Sequence, residues 1–500
     1  MGFFPSIRMN NTFTSRLLPL IVVVVLLYIN ARTSSRNAED NSPTESSEIK
    51  QGNLAHLEAS EKPRLLVLTD IGGDPDDEES MVRFLLYSNE FDIEGLIATG
   101  RVIRDDRPAL LPELITERIE AYGKVRDRLV QHASGYPTVP FLLEKIKTGY
   151  PIPKRKWDPK TQKTSEISIS EKIGAEKDSE GSDWIIEVVD RSDPRPVWVT
   201  VWGTASDLAQ ALWRVKQERS AEELAAFVAK LRVYAIAKQD LTNDWILTHF
   251  PKLFILQSST ATGTFKGIYQ EGDPSYYSEE WVEKNVLNDH GPLGQLYSKR
   301  PSTWSAPYIE GDTPSFLYLI STGLSDPEYP TWGSWGGRYQ GPGPLYTDLD
   351  DDPPSTELTG KRAQWSVARW RPAFQNDFEA RMDWCVRSFE EANHNPIASL
   401  NGNASKDIVE LTGSPGTEVS LSAEGSSDPD NDRLTYRWFV YEGVGTYTGP
   451  VSITRPTAQE ATLTVPQDAA PDQTIHVVLE VTDDGEPVLY SYRRTVITVK

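Results

Sequence analysis

The chain has 500 residues, one cysteine, and a formal net charge of −22 from 51 Lys plus Arg against 73 Asp plus Glu. That length exceeds what one ordinary hydrophobic core serves, so two or more domains are expected. So acidic a chain repels phosphate backbones, which argues against nucleic acid as a partner, and it favours divalent cations wherever carboxylates converge.

Arg8 and Arg16 precede the apolar run LLPLIVVVVLLYI, Leu17 to Ile29. The run is shorter than the roughly 20 residues a membrane-spanning helix needs. A charged leader before a short apolar core is the pattern of a signal peptide, with Ala31 as the cleavage position and an uncleaved anchor as the alternative. Residues 1–31 are therefore read as signal peptide or anchor and 32–63, poor in apolar residues, as a disordered tether. Both readings put the body of the protein outside the cytoplasm, secreted or at the cell surface. The single Cys385 forbids an internal disulfide, and its apolar context RMDWCVRSF reads as a buried small hydrophobe.

From Arg64 onward, short apolar runs rich in β-branched residues alternate with helical periodicity. RLLVLTD, FDIEGLIATG, PVWVTVWG, LRVYAIA and KLFILQS read as strands, while the segments after the first, third and fourth of them read as helices. This alternation predicts an α/β domain over 64–392, a mostly parallel sheet with helices on both faces. Beyond Asn393 the texture changes. EVSLSAEG, LTYRWFVY, ATLTVPQ, IHVVLEVTDD and RRTVITVK recur about every ten residues with alternating polarity, which predicts an all-β, immunoglobulin-like sandwich over 393–500. Its Asp428, Asp430 and Asp432 resemble the turn of PKD- and cadherin-like modules. Few contacts are expected to cross the junction, so that the two parts fold separately.

The chemistry concentrates in TDIGGDPDDEES, where Asp70, Asp74, Asp76 and Asp77 are threaded through Gly72, Gly73 and Pro75. In a parallel sheet, ligands bind beyond the carboxyl ends of the strands. Asp70 ends the first strand there and Asp77 begins the next helix. Two explanations compete: helix-start aspartates that complement the helix dipole, or oxygens gathered for a hard cation such as calcium. EGDTPSFLYLI supplies a second loop-to-helix aspartate, Asp312, and TVWGTASDLAQAL a third strand exit at Trp202-Gly203. Three loops leaving one sheet edge favour the cation.

Taken in order, TDIGGDPDDEES, PVWVTVWGTASDLAQAL, EGDTPSFLYLI, DPEYPTWGSWGGRY and RWRPAFQNDFEARMDWC resemble the inosine–uridine-type nucleoside hydrolase superfamily. The likeness is to a subfamily, some members described as cellulose-binding, that carries a C-terminal β-sandwich. The resemblance implies one calcium ion held by Asp70, Asp77, Asp312 and the backbone carbonyl of Trp202. It implies that Asp70 doubles as general base and that Asp76 contacts the sugar. The departures weigh as much. Many members place a His before the late aspartate, where this chain has Glu310-Gly311. The superfamily's substrate segment has no clear copy, AIAKQDLTND standing in its place with Asp240 as a polar candidate. Glu310 is the substitute considered for the leaving-group acid. Trp332 and Trp335, set among glycines, are either platforms for sugar faces or packing for the sheet's flank.

The resulting expectation is an extracytoplasmic, calcium-dependent hydrolase of glycosyl bonds, acting on a carbohydrate or nucleoside-like compound. The alternative is a carbohydrate-binding protein, cellulose included, that keeps the metal site without turnover.

Overall fold

The computed structural model describes residues 62–258, 273–276, 278–298, 308–349, 351 and 362–500. The expected signal peptide and most of the expected tether lie outside these residues. Among the described residues, no helix is long and apolar enough to cross a membrane.

The α/β part is built on strands β1 (Arg64–Thr69), β2 (Asp92–Ala98), β3 (Ile146–Thr148), β6 (Val197–Val201), β7 (Leu231–Ile236), β8 (Phe254–Ser258), β9 (Tyr339–Gln340) and β10 (Leu345–Asp348). A small hairpin, β4 (Lys156–Asp158) and β5 (Lys163–Ser165), stands apart from them. The large sheet runs β3-β2-β1-β6-β7-β8-β10-β9, parallel throughout except for the last pair. Strand order reverses between β1 and β6, the position where open α/β sheets leave a crevice for ligands.

Continuous apolar runs form these strands because both faces are covered. On β1, Leu65 and Val67 enter one core, with the helix α1 (Asp76–Leu86) and the late helix α6 (Arg371–Trp384). Leu66 and Leu68 enter the other, with α2 (Glu180–Asp190), α3 (Ser206–Glu218) and α4 (Leu241–His249). Trp198 and Trp202 against Val197, Val199 and Val201 repeat the alternation on β6. The period of two that puts successive side chains on opposite faces thus accounts for both layers, as the sequence predicts.

The register aligns the strand exits. Thr69 lies beside Ala98, Leu68 beside Val201, and Val201 beside Ala235. Asp70, Thr99, Trp202 and the loop after Ile236 therefore leave the sheet side by side. A short helix, α5 (Thr313–Leu317), brings Asp312 to the same edge.

The C-terminal part is a β-sandwich with its own core of Leu421, Trp438, Leu463, Val477, Leu479 and Ile497. One sheet joins β11 (Val409–Gly413), β17 (Tyr490–Val499), β16 (Thr474–Thr482) and β13 (Thr435–Val440). The other joins β12 (Glu418–Ser422), β15 (Glu460–Thr464) and β14 (Ser452–Thr454). The expectation of few contacts across the junction is not met. Tyr441, Val478 and Tyr492 belong to the core of the α/β part, and Trp370 meets Tyr441 and Tyr492 edge-on at 5.9 and 5.5 Å. Asp351 gathers Arg338, Arg369 and the Tyr441 hydroxyl. Tyr441, just after β13, and Tyr492 and Arg494 on β17 face this seam, where the sheet meets the α/β part instead of water.

Candidate functional site

At the exit of β1, Gly73 N–H donates to the Asp70 carbonyl at 3.0 Å, closing the turn that Gly72 permits with φ 82°. That turn swings the chain back so that Asp77, one residue into α1, faces Asp70 again. Thr69 Oγ1 donates to Asp77 Oδ1 at 2.5 Å, fixing the carboxylate across the mouth of the strand. The neighbouring exit comes equally close. A Cβ on Gly203 would fall 2.1 Å from Asp70 Oδ1, and one on Gly311 would fall 2.7 Å from Asp76 Oδ2. Both glycines are needed because carboxylates fill the space a side chain would take.

The late loop is held by α1 itself. Glu79 Oε2 accepts the N–H groups of Ile309 and Glu310, and Arg83 clasps the Glu310 carboxylate at 2.7 and 3.0 Å. Asp312 is thereby carried to the aspartates of the first loop. Oxygens of Asp76, Asp77 and Asp312 all lie within 4.8 Å of one another. Asp77 and Asp312 are buried, at 3% and 2% exposure. Burial raises both carboxyls well above the usual range, and the neighbouring aspartates raise them further.

A hard divalent cation fits this donor set. The telling atom is Asp312 Oδ2, buried and without any hydrogen-bond partner, where a buried carboxylate oxygen is ordinarily satisfied. Three carboxylates supply all-oxygen ligands of the kind calcium takes. The Trp202 carbonyl, expected as a ligand, lies at the adjacent exit and accepts from Gln239 Nε2 at 3.1 Å. Its indole is buried and donates to Ser315 at 2.9 Å.

Other expected positions fall differently. Asp70 is held by Lys154, whose Nζ lies 2.7 Å from Oδ2. Burial works against that ammonium, but Asp70, with Asp77 and Asp74 behind it, more than offsets the effect and keeps it firmly protonated. Asp74 faces outward to Arg104 at 2.8 Å and is not among the converging oxygens. Glu310 is fully buried, and besides Arg83 its oxygens accept from Thr313 Oγ1 at 2.7 Å and from the Tyr297 hydroxyl. This is the setting of a structural anion, so Glu310 is withdrawn as leaving-group acid. Asp240 caps α4 through Thr242 N–H and pairs with the buried Lys172. Burial pushes its carboxyl up, yet Lys172, Thr204 and Thr242 together hold it below the ordinary value. With Oδ2 accepting from Lys172 and Thr204 and Oδ1 from Thr242, Asp240 has both oxygens engaged.

For the two tryptophans the structure shows the contacts of the packing alternative. Trp335, 3% exposed, lies edge-on to Phe374 at 6.4 Å, inside the core. Trp332 stacks on Tyr329 at 4.2 Å, meets His476 of the sandwich at 4.9 Å, and its carbonyl accepts from Arg494 at 2.9 Å. Both serve packing. An aromatic residue that reaches the aspartate loop is Trp157 on the β4–β5 hairpin, under the guanidinium of Arg104, which itself binds Asp74.

The fold and the aspartate cluster define a nucleoside-hydrolase-like α/β domain followed by a β-sandwich. Residues 64–339 match the family described as cellulose-binding Sde182, nucleoside hydrolase-like domain, and residues 418–499 match the C-terminal domain of cellulose-binding protein Sde0182. The chain belongs to this family. A similar solved structure is a nucleoside hydrolase-related protein from Saccharophagus degradans, described as associated with carbohydrate metabolism. It is 35% identical, covering 88% of this chain and 100% of that one, with a TM-score of 0.71. The PKD domain of the KIAA 1837 protein (20% identity, 22% of this chain and 92% of that one, TM-score 0.16) and human CDH23 EC21–23 (15%, 21% and 34%, TM-score 0.15) are also similar in part. Among curated proteins, none matches.

Proposed function

We propose that this protein is an extracytoplasmic, calcium-dependent hydrolase of glycosyl bonds acting on a carbohydrate, cellulose-derived or nucleoside-like. The observation that carries the reading is the orphaned Asp312 Oδ2 among the converging oxygens of Asp76 and Asp77. Membership of a family named for cellulose binding and for nucleoside hydrolases supports the sugar.

Asp76, Asp77 and Asp312 would hold the ion, with the Trp202 carbonyl at the neighbouring strand exit. Calcium there would supply Lewis acidity, ordering sugar hydroxyls and acidifying water beside it. Asp70, at the strand end and with Oδ1 turned toward Gly203, takes the proton of the attacking water. The other aspartates favour positive charge developing on the sugar ring. Burial of the cluster makes these charge interactions stronger than they would be in open water.

The second reading, carbohydrate binding without turnover, draws support from Glu310, whose engagement by Arg83, Tyr297 and Thr313 leaves no proton donor at that position for a leaving group. A screen for released reducing sugar or base over cello-oligosaccharides, other glycosides and nucleosides, with and without a calcium chelator, separates the two. Chelator-sensitive release supports hydrolysis. Calcium-dependent retention on a glycan with no release supports binding alone. Neither result with any sugar overturns both.

A further inference from the structure

Lys154 is placed too firmly to be a surface lysine that happens to touch an acid. Its backbone N–H donates to the Arg101 carbonyl at 3.1 Å, and its own carbonyl accepts from Lys172 Nζ at 2.7 Å. The segment leading to it crosses Gly100 so closely that a Cβ there would fall 1.9 Å from the Ile152 carbonyl oxygen. The ammonium is then aimed from two sides, by Asp70 Oδ2 at 2.7 Å and Gln239 Oε1 at 3.1 Å. Gln239 is fixed in turn, donating to the carbonyls of Trp202 and Ile236, each at 3.1 Å. Three strand exits, those of β1, β6 and β7, are thus tied together by one positive charge.

The same aspartate is missing from the trio whose oxygens converge within 4.8 Å, which consists of Asp76, Asp77 and Asp312. We infer that Lys154 is a resident counter-cation that takes Asp70 out of the ion's ligand shell, divides the four aspartates into an ammonium-bound base and a three-carboxylate metal site, and so sets calcium affinity. This rests on the calcium reading above. An ammonium on the edge of the cluster repels a divalent ion in the cluster, the more so because burial weakens screening. Lys154 would therefore be an affinity-setting residue that keeps the ion loosely held and Asp70 outside its ligand shell.

The test is calorimetric titration of calcium into the metal-stripped full chain, alongside Lys154→Met, Lys154→Arg and Gln239→Ala, each checked for native melting. Lys154→Met should bind calcium at least about tenfold more tightly than the parent, by loss of charge repulsion. Lys154→Arg, which keeps the charge, should stay within about threefold, and Gln239→Ala, which frees the ammonium from one of its two anchors, should fall between. Should the methionine variant fail to fold, Lys154→Gln, which also removes the charge but keeps a polar partner for Asp70, carries the same decision. Equal affinity in parent and charge-removed variants, or weaker binding on removing the charge, overturns the inference while leaving a calcium site. No calcium uptake by any of the four overturns the calcium reading itself.

Discussion

Glu79 Oε2 accepts the backbone N–H groups of Ile309 and Glu310 at 2.9 and 2.7 Å, 230 and 231 residues along the chain. A single buried carboxylate in α1 thus fixes the loop that delivers Asp312. Glu79→Ala leaves both N–H groups without an acceptor, and a buried donor left unsatisfied costs about 1–3 kcal/mol. For the two together we expect a loss of about 2–6 kcal/mol in denaturant unfolding. The calcium-induced rise in melting temperature should shrink as well, because a displaced Asp312 no longer meets Asp77.

Arg83 and Glu310 lie buried beneath the same loop. Removing one partner leaves a desolvated charge, typically costing about 3–5 kcal/mol. Arg83→Met should therefore be strongly destabilising, and Arg83→Met with Glu310→Gln should recover part of the loss. A double variant no more stable than the single one counts against a structural ion pair and returns Glu310 to consideration as an acid.

Trp335→Ala tests the packing role of that residue. Emptying a buried indole site costs about 3–5 kcal/mol, so the variant should melt lower. Whatever fraction stays folded should retain carbohydrate with unchanged affinity. A selective loss of affinity in a variant of normal stability would restore the sugar-platform reading.

Much of this was legible in the chain because it depends on local pattern. Continuous apolar runs mark strands covered on both faces, and Asp70 and Asp77 announce themselves by standing at a strand end and a helix start. The partners were not legible. Nothing in the sequence near Lys154 marks it as facing Asp70, since the contact arises from the register of β2 and β3 and the crossing at Gly100. Glu79 and Arg83 read as ordinary helix charges until the late loop closes on them. For Trp332 and Trp335 the glycine-rich setting left platform and packing equally readable, and what separates them is distant in sequence: Phe374 of α6 covers Trp335, while Trp332 stays half-buried beside His476 of the sandwich.

The seam between the two parts makes a prediction about truncation. A chain ending at Asn393 loses Tyr441 and Tyr492 from around Trp370 and leaves Asp351 without the Tyr441 hydroxyl. An apolar patch of that kind invites association. We expect residues 64–393 to be less soluble and lower-melting than the full chain. A truncated protein that stays monomeric with the parent's melting temperature would show the junction to be dispensable.

The junction also carries an acid sensitivity whose sign can be worked out. Burial lowers His132 to about 4, helped by His394, while the bond to the Arg387 carbonyl works the other way. Burial lowers His476 to about 3, and the adjacent Arg494 and Arg338 reinforce the effect. For each, the unfolded chain binds a proton near pH 6.5 that the folded chain refuses. Their stabilising contribution is therefore complete above about pH 6.5 and is lost as pH falls toward 4 and 3, at up to about 1.4 kcal/mol per pH unit per histidine. Asp483 opposes them. Burial raises its carboxyl to about 6, so the folded state gains a proton first and stability rises as pH falls from about 6 toward the ordinary carboxylate value. Asp77, Asp312 and Glu79, which burial raises well above the usual carboxylate range, act in the same direction as Asp483, so the histidines are read by difference. Between pH 6.5 and pH 4.5 the parent should lose more stability, or gain less, than His132→Asn with His476→Gln, whose offset at pH 7.5 reports only the lost packing. A slope identical in parent and double variant would place the acid sensitivity elsewhere in the molecule.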